Sequence, residues 1–140
     1  MPDELVDQWT AKGSKQVIME GEILPMLVAR MLWSSVLRDT SMVGFIDNDA
    51  AKSALIRAYS TNGDASIILQ EIVEYDMKFG LLTWYERVPS VSNIADAPSR
   101  GGRPVIIPGW GRSKRDNCDR QLALVVERLR SERGSRVGVL

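Results

Sequence analysis

Three carboxylates stand where acid–base or metal chemistry would need them: Glu22 at the start of an apolar run, Asp47 directly after Phe45-Ile46, and Asp96 in Asn93-Ile94-Ala95-Asp96-Ala97-Pro98-Ser99-Arg100. Carboxylate oxygens are the donors that magnesium prefers, and one carboxyl beside another is a ready acid–base pair. The chemistry available elsewhere is narrow. Histidine is absent from all 140 residues, which excludes Ser-His-Asp triads, Cys-His dyads, HExxH metalloproteases and Cys/His zinc fingers. The single cysteine, Cys118, excludes an intramolecular disulfide and a thiolate cluster. Any catalysis therefore rests on carboxylates, lysines, hydroxyls or a hard metal ion. Each carboxylate also has an ordinary reading. Asp47 can cap a helix, Glu22 can sit at the favourable end of a helix dipole, and Asp96 can be a turn or N-cap residue. Asp47-Asn48-Asp49 opens like a calcium loop, but the glycine and closing glutamate of such a loop are missing.

The elements that must position these groups follow from the hydrophobic pattern. Lys15–Met19 reads as a short strand. Glu22–Leu37 is apolar on nearly every face and reads as a buried helix starting near Gly21 or Glu22, with Pro25 in its first turn, where a missing N–H is harmless. Ser41–Ile46 reads as a buried strand, followed by a helix over 50–59 and a third helix from Asp64 to Phe79, which Gly80 stops. Leu81–Val88 is a further strand closed by Pro89, and of its neighbours Trp84 and Tyr85 the tryptophan is expected to face the core. The order strand–helix–strand–helix–helix–strand predicts an α/β fold with at least one parallel pair. Pro104–Pro108 reads as extended and Asp116–Arg133 as an amphipathic helix.

Equal numbers of acidic and basic residues, 18 each, conceal an asymmetry. Residues 1–99 carry 8 basic and 14 acidic side chains, a net charge of −6, and residues 100–140 carry 10 and 4, a net of +6. The changeover falls at Ser99-Arg100-Gly101-Gly102-Arg103-Pro104, predicting an acidic body over 1–100 and a loosely held basic extension over 101–140. A solvated helix is the plain reading of that extension, and a nucleic-acid contact is the sharper one. The N-terminus lacks the order of a signal peptide, and the longest apolar stretch, Ile23–Trp33, is interrupted by Arg30 and too short to span a bilayer. The expectation is an intracellular protein, cytoplasmic or nuclear, without a membrane partner.

Taken together, QVIMEGEILPMLVARMLW, FIDNDAAKSALIRAYS and WYERVPSVSNIADAPSR give residues 15–100 a likeness to a known family. The chain resembles the ribonuclease H-like domain of retroelement reverse transcriptases, in which a strand followed by Asn-x-Ala-Asp-x-x-Ser-Arg is a recurring ending. The resemblance implies a ribonuclease H-like sheet with flanking helices, incomplete at the N-terminus, and a basic C-terminal tail with one helix. It also implies hydrolysis of the RNA strand of RNA–DNA hybrids by one or two magnesium or manganese ions. Carried over position by position, Glu22, Asp47 and Asp96 become the catalytic and metal-binding carboxylates, with Glu20 a rival for the first. Asn48, Asn93, Arg100 and Arg103 become nucleic-acid contacts. The match begins only at residue 15, so the family's first strand, with the aspartate shared by both ions, has no counterpart, and the family's mobile histidine is missing. The expected partners are an RNA–DNA hybrid or other nucleic acid and an upstream reverse transcriptase segment. Hydrolysis by this chain alone is expected to be impaired or lost, and the alternative is a non-catalytic nucleic-acid-binding or protein-interaction module on the same scaffold.

Overall fold

The computed structural model describes Asp7, residues 14–102 and residues 119–137. The chain is α/β: helix α1 (Ser14–Leu37), strand β1 (Ser41–Ile46), helices α2 (Asp49–Arg57) and α3 (Gly63–Phe79), strand β2 (Leu82–Arg87), a 3-10 turn (Ser90–Ser92), the short α4 (Asp96–Ser99) and α5 (Asp119–Val137). The strands pair in parallel with Ser41 opposite Leu82 and Ile46 opposite Arg87, and they are the whole sheet among the described residues. A parallel pair requires a crossover, which α2 and α3 supply.

Residues 15–19 are helical, not a strand, and α1 begins well before Gly21. A run with only three apolar residues, Val17-Ile18-Met19, is compatible with either state, and its continuation decides between them. Met19 lies against the core four residues before the fully buried Ile23, and Leu27 and Arg30 continue the same stripe, so helical spacing reaches back past Gly21. Pro25 consequently lies in the helix interior, where it removes a backbone bond at a cost of about 3 kcal/mol. Its ring faces solvent, and the carbonyl it cannot reach belongs to Gly21. The backbone leaves helical geometry at Trp33 (φ −116°, ψ 23°).

Local signals set the other boundaries. Asn48 caps α2 by accepting from the Ala51 N–H, and Asn62, rather than Asp64, caps α3 by accepting from the N–H groups of Asp64 and Ala65. Gly80 ends α3 in the left-handed conformation (φ 63°), where a Cβ would collide with the Asp39 carboxylate. The Asp39 N–H in turn donates to the Phe79 carbonyl at 2.7 Å, tying the turn before β1 to the end of α3.

The core lies between one face of the sheet and helices α1, α2, α3 and α5, around Ile23, Leu27, Ile46, Leu55, Ile68, Ile72 and Tyr85. Two expectations fail here. Tyr85 is buried and Trp84 exposed, because strand alternation sends them to opposite faces and the described helices cover only Tyr85's side. The basic extension is not loosely held throughout, since Val125, Val126 and Leu129 of α5 are buried in the same core and Arg128 bonds Glu71 at 2.8 Å. The segment over 104–108 and Arg103 lie outside the described residues.

A buried cation joins three elements. Arg30 of α1, 1% exposed, donates from Nε and Nη2 to the two Asp76 oxygens of α3 at 2.7 and 3.0 Å. Nη2 also reaches Thr83 Oγ1 at 2.8 Å and the Tyr85 hydroxyl at 2.9 Å on β2, and Nη1 donates to the Met26 carbonyl at 2.8 Å. Burial works against its charge, but hydrogen bonds to Asp76 and Tyr85 outweigh that and raise its pKa. The Tyr85 hydroxyl is also shifted upward, chiefly by burial. Gly44 makes the approach of β2's tyrosine possible: a Cβ there would sit 3.1 Å from the Tyr85 ring and 3.5 Å from the Met26 sulfur.

Removing one partner of this network leaves a buried charge, so Asp76→Ala should lower unfolding free energy by about 3 kcal/mol. Leu129→Ala should cost about 2–5 kcal/mol if α5 belongs to the same cooperative unit. Urea titrations of both variants check these values; a change near zero for Leu129→Ala would show that α5 folds independently.

Candidate functional site: a carboxylate pair at the strand ends

Simple lengths explain why Glu22 and Asp47 meet. Glu22 lies fifteen residues before the end of α1, about 22 Å along the helix axis. The chain then reverses through Arg38–Thr40, and the six residues of β1 return about 20 Å in the opposite direction. Asp47 follows β1 immediately, level with Glu22. This is the carboxyl edge of a parallel pair, where open α/β sheets bind ligands.

The Glu22 carboxyl hydrogen-bonds Asp47. Burial, the Asp47 charge, that hydrogen bond and the more distant Asp96 charge, in this order, push Glu22 up from its ordinary 4.5 to about 7. At neutral pH Glu22 thus holds its proton a good part of the time, which relieves its repulsion from Asp47 in a half-buried place. Glu20, two residues earlier on the helix, is fully buried instead and points into the protein.

The loop after β2 completes the edge. The Val88 N–H donates to the Ile46 carbonyl at 3.0 Å, extending the pairing past β2, and the 3-10 turn then brings Asn93 back toward β1. Asn93 Nδ2 donates to Asp47 Oδ2 at 3.2 Å, while its Oδ1 accepts from the Ala95 N–H at 3.0 Å. Asn93, one of the two asparagines expected to touch nucleic acid, thus clamps Asp47. Asp96 opens α4, and Arg100 Nε bonds its Oδ1 at 3.0 Å, so this arginine too is engaged within the chain. Asn48 is occupied as the α2 cap. Two exposed ion pairs, Lys52–Glu86 at 2.8 Å and Arg87–Asp49 at 3.1 Å, join α2 to the end of β2 beside the site. Lys52 holds the Glu86 carboxyl down at about 2.

The structure thus brings Glu22 and Asp47 into contact and sets Asp96 within electrostatic reach. Among the described residues, no group of three or more His, Cys, Asp or Glu is arranged to hold a metal ion. Glu22 and Asp47 have the oxygen chemistry that a hard cation needs, while one oxygen of Asp96, Oδ1, is taken by Arg100. Sequence reasoning missed the positioning role of Asn93. Its signal was present in the Asn-x-Ala-Asp spacing, which places an amide and a carboxylate in one tight loop.

No family model, no curated protein and no solved structure matches the chain. No helix among the described residues is long and apolar enough to cross a membrane.

The titration of Glu22 gives a pH signature. Its folded pKa is raised, so the stabilisation from holding its proton is fully present below about pH 4.5 and is lost as pH rises through about 7. Denaturation midpoints of wild-type chain should fall between pH 5 and pH 8, measured against Glu22→Gln, in which this part of the slope should vanish. Equal slopes in the two proteins would show that Glu22 does not carry the proton.

Proposed function

We propose that the chain is a ribonuclease H-like domain of retroelement reverse transcriptase type, with hydrolysis of the RNA strand of RNA–DNA hybrids weak or lost in this chain alone. One observation carries the reading: a helix glutamate and a strand-end aspartate in contact at the carboxyl edge of a parallel pair, with Asn93 clamping the aspartate and Asp96 nearby. The order from the glutamate helix through β1 and the crossover to β2 is the one the resemblance implies from Glu22 onward, whereas the strand it implies at Lys15–Met19 is helical here.

Glu22 and Asp47 would hold a magnesium or manganese ion, which when bound polarises a phosphate oxygen and lowers the pKa of a water. The chain's own groups have definable work beside it. Asn93 keeps Asp47 pointed into the site, and Glu22, poised near neutral pH, gives up its proton when a cation arrives. Asp96 is held back by Arg100, and the extra carboxylate that would bridge two ions has no counterpart in the matched segments. Two divalent ions a few ångströms apart repel strongly, so the site favours one ion over two.

The pairing of Asp96 with Arg100 favours a second reading, a nucleic-acid-binding or protein-interaction module on the same scaffold without hydrolysis. Incubation with a labelled RNA–DNA hybrid and millimolar magnesium or manganese separates the two. Slow cleavage abolished by Asp47→Asn, with the circular dichroism spectrum unchanged, supports the nuclease. Salt-dependent hybrid binding without cleavage supports the module. Rapid cleavage indifferent to Asp47→Asn would remove the site from the reaction. The same cations should move the Glu22-dependent loss of stability to lower pH, since metal and proton compete for one carboxylate.

A further inference from the structure

Among the described residues, helices cover one face of the sheet and leave the other bare. Gly44, Ile46 and Tyr85 turn toward the helices, whereas Val43, Phe45, Leu82 and Trp84 turn away and are 54%, 60%, 71% and 68% exposed. Val43 stands opposite Trp84 in the register, Leu82 is two pairs before them and Phe45 two pairs after, which strand alternation puts on the same face, so the four form a contiguous patch. Parallel sheets are ordinarily covered on both faces, because their strands carry apolar side chains on both.

We propose that this bare face is the contact between two copies of the chain, packed sheet on sheet. Phe45 and Trp84 expose roughly 300 Å² between them, and with Val43 and Leu82 the patch reaches roughly 500 Å². Two such patches brought together bury roughly 1,000 Å², the lower limit for a specific interface, so the dimer is reversible and concentration-dependent. Charge favours self-association over other occupants. Residues 1–99 carry a net charge of −6, yet none of the four apolar side chains is charged, and the one carboxylate that shares their face, Glu86 opposite Phe45, is neutralised by Lys52. Two copies therefore meet without bringing unpaired carboxylates together. A nucleic acid stacking on Phe45 and Trp84 would need cations for its phosphates, and among the described residues Lys52 and Arg87, at the end of β2, are engaged by Glu86 and Asp49.

Sedimentation equilibrium of the full chain from low to high micromolar concentration tests the proposal. Wild-type protein should move from the mass of one chain to that of two, and Trp84→Lys should weaken the dimer at least about tenfold while keeping the wild-type circular dichroism spectrum. Leu82→Lys provides the same test should the Trp84 variant disturb the fold. Wild-type chain that stays monomeric throughout, including the case where Trp84 fluoresces as a buried tryptophan beneath other residues of its own chain, overturns the proposal. So does a dimer that survives both lysines.

Discussion

A guanidinium taken out of water has five N–H groups to satisfy, and here α1, α3 and β2 supply the acceptors together. Arg30 reaches Asp76, Thr83, Tyr85 and its own helix at Met26, so the distance and rotation of α1 relative to the sheet are set by hydrogen-bond geometry rather than by apolar contact alone. An apolar core of Leu, Ile and Ala tolerates small slides between elements; a bidentate arginine–carboxylate pair does not. A buried ion pair is a modest source of net stability, since desolvation offsets much of its attraction. Its larger effect in this fold is register.

That register reaches the carboxyl edge. Glu22 lies eight residues before Arg30 on one continuous helix, about 12 Å away along its axis. Once Arg30 is pinned against β2, the height of Glu22 over the end of β1 is fixed, and the Asp47 contact follows. Gly44 serves the same end from the strand side, because a Cβ there would crowd the Tyr85 ring at 3.1 Å. The half-buried carboxyl pair and the buried arginine are thus two ends of one lever. Asn93 and Arg100 act on a smaller scale, fixing single carboxylates by short-range hydrogen bonds within a loop.

The sequence was most legible where a residue type answers a local backbone need. Gly80 as a left-handed terminator and the polar run at 47–49 as the junction between β1 and α2 were readable because the reasons lie within a few residues. Residues 15–19 were misread because a short apolar run has no period of its own; their helical state comes from Met19 sharing a stripe with Ile23 and Leu27. Trp84 was expected in the core, but strand alternation alone does not say which sheet face the helices cover. The extension was judged on charge, yet Val125, Val126 and Leu129 bury themselves in the body beneath basic neighbours, which a net charge does not reveal.

By itself the sequence determined the class of fold, α/β with a parallel pair, because periodicity and turn chemistry are properties of neighbouring residues. It also restricted the chemistry to oxygen and nitrogen groups other than imidazole, because composition is indifferent to folding. Only the tertiary structure decided that Glu22 and Asp47, twenty-five positions apart, come together and that Asn93, forty-six positions beyond Asp47, holds the aspartate in place. It alone gave Arg30 its role, since a lone arginine in an apolar run looks like an interruption until Asp76 and Tyr85 arrive beside it. The physical reason is the same throughout: hydrogen bonds and charge–charge contacts depend on distances of a few ångströms, and chain separation says nothing about those until the core has closed.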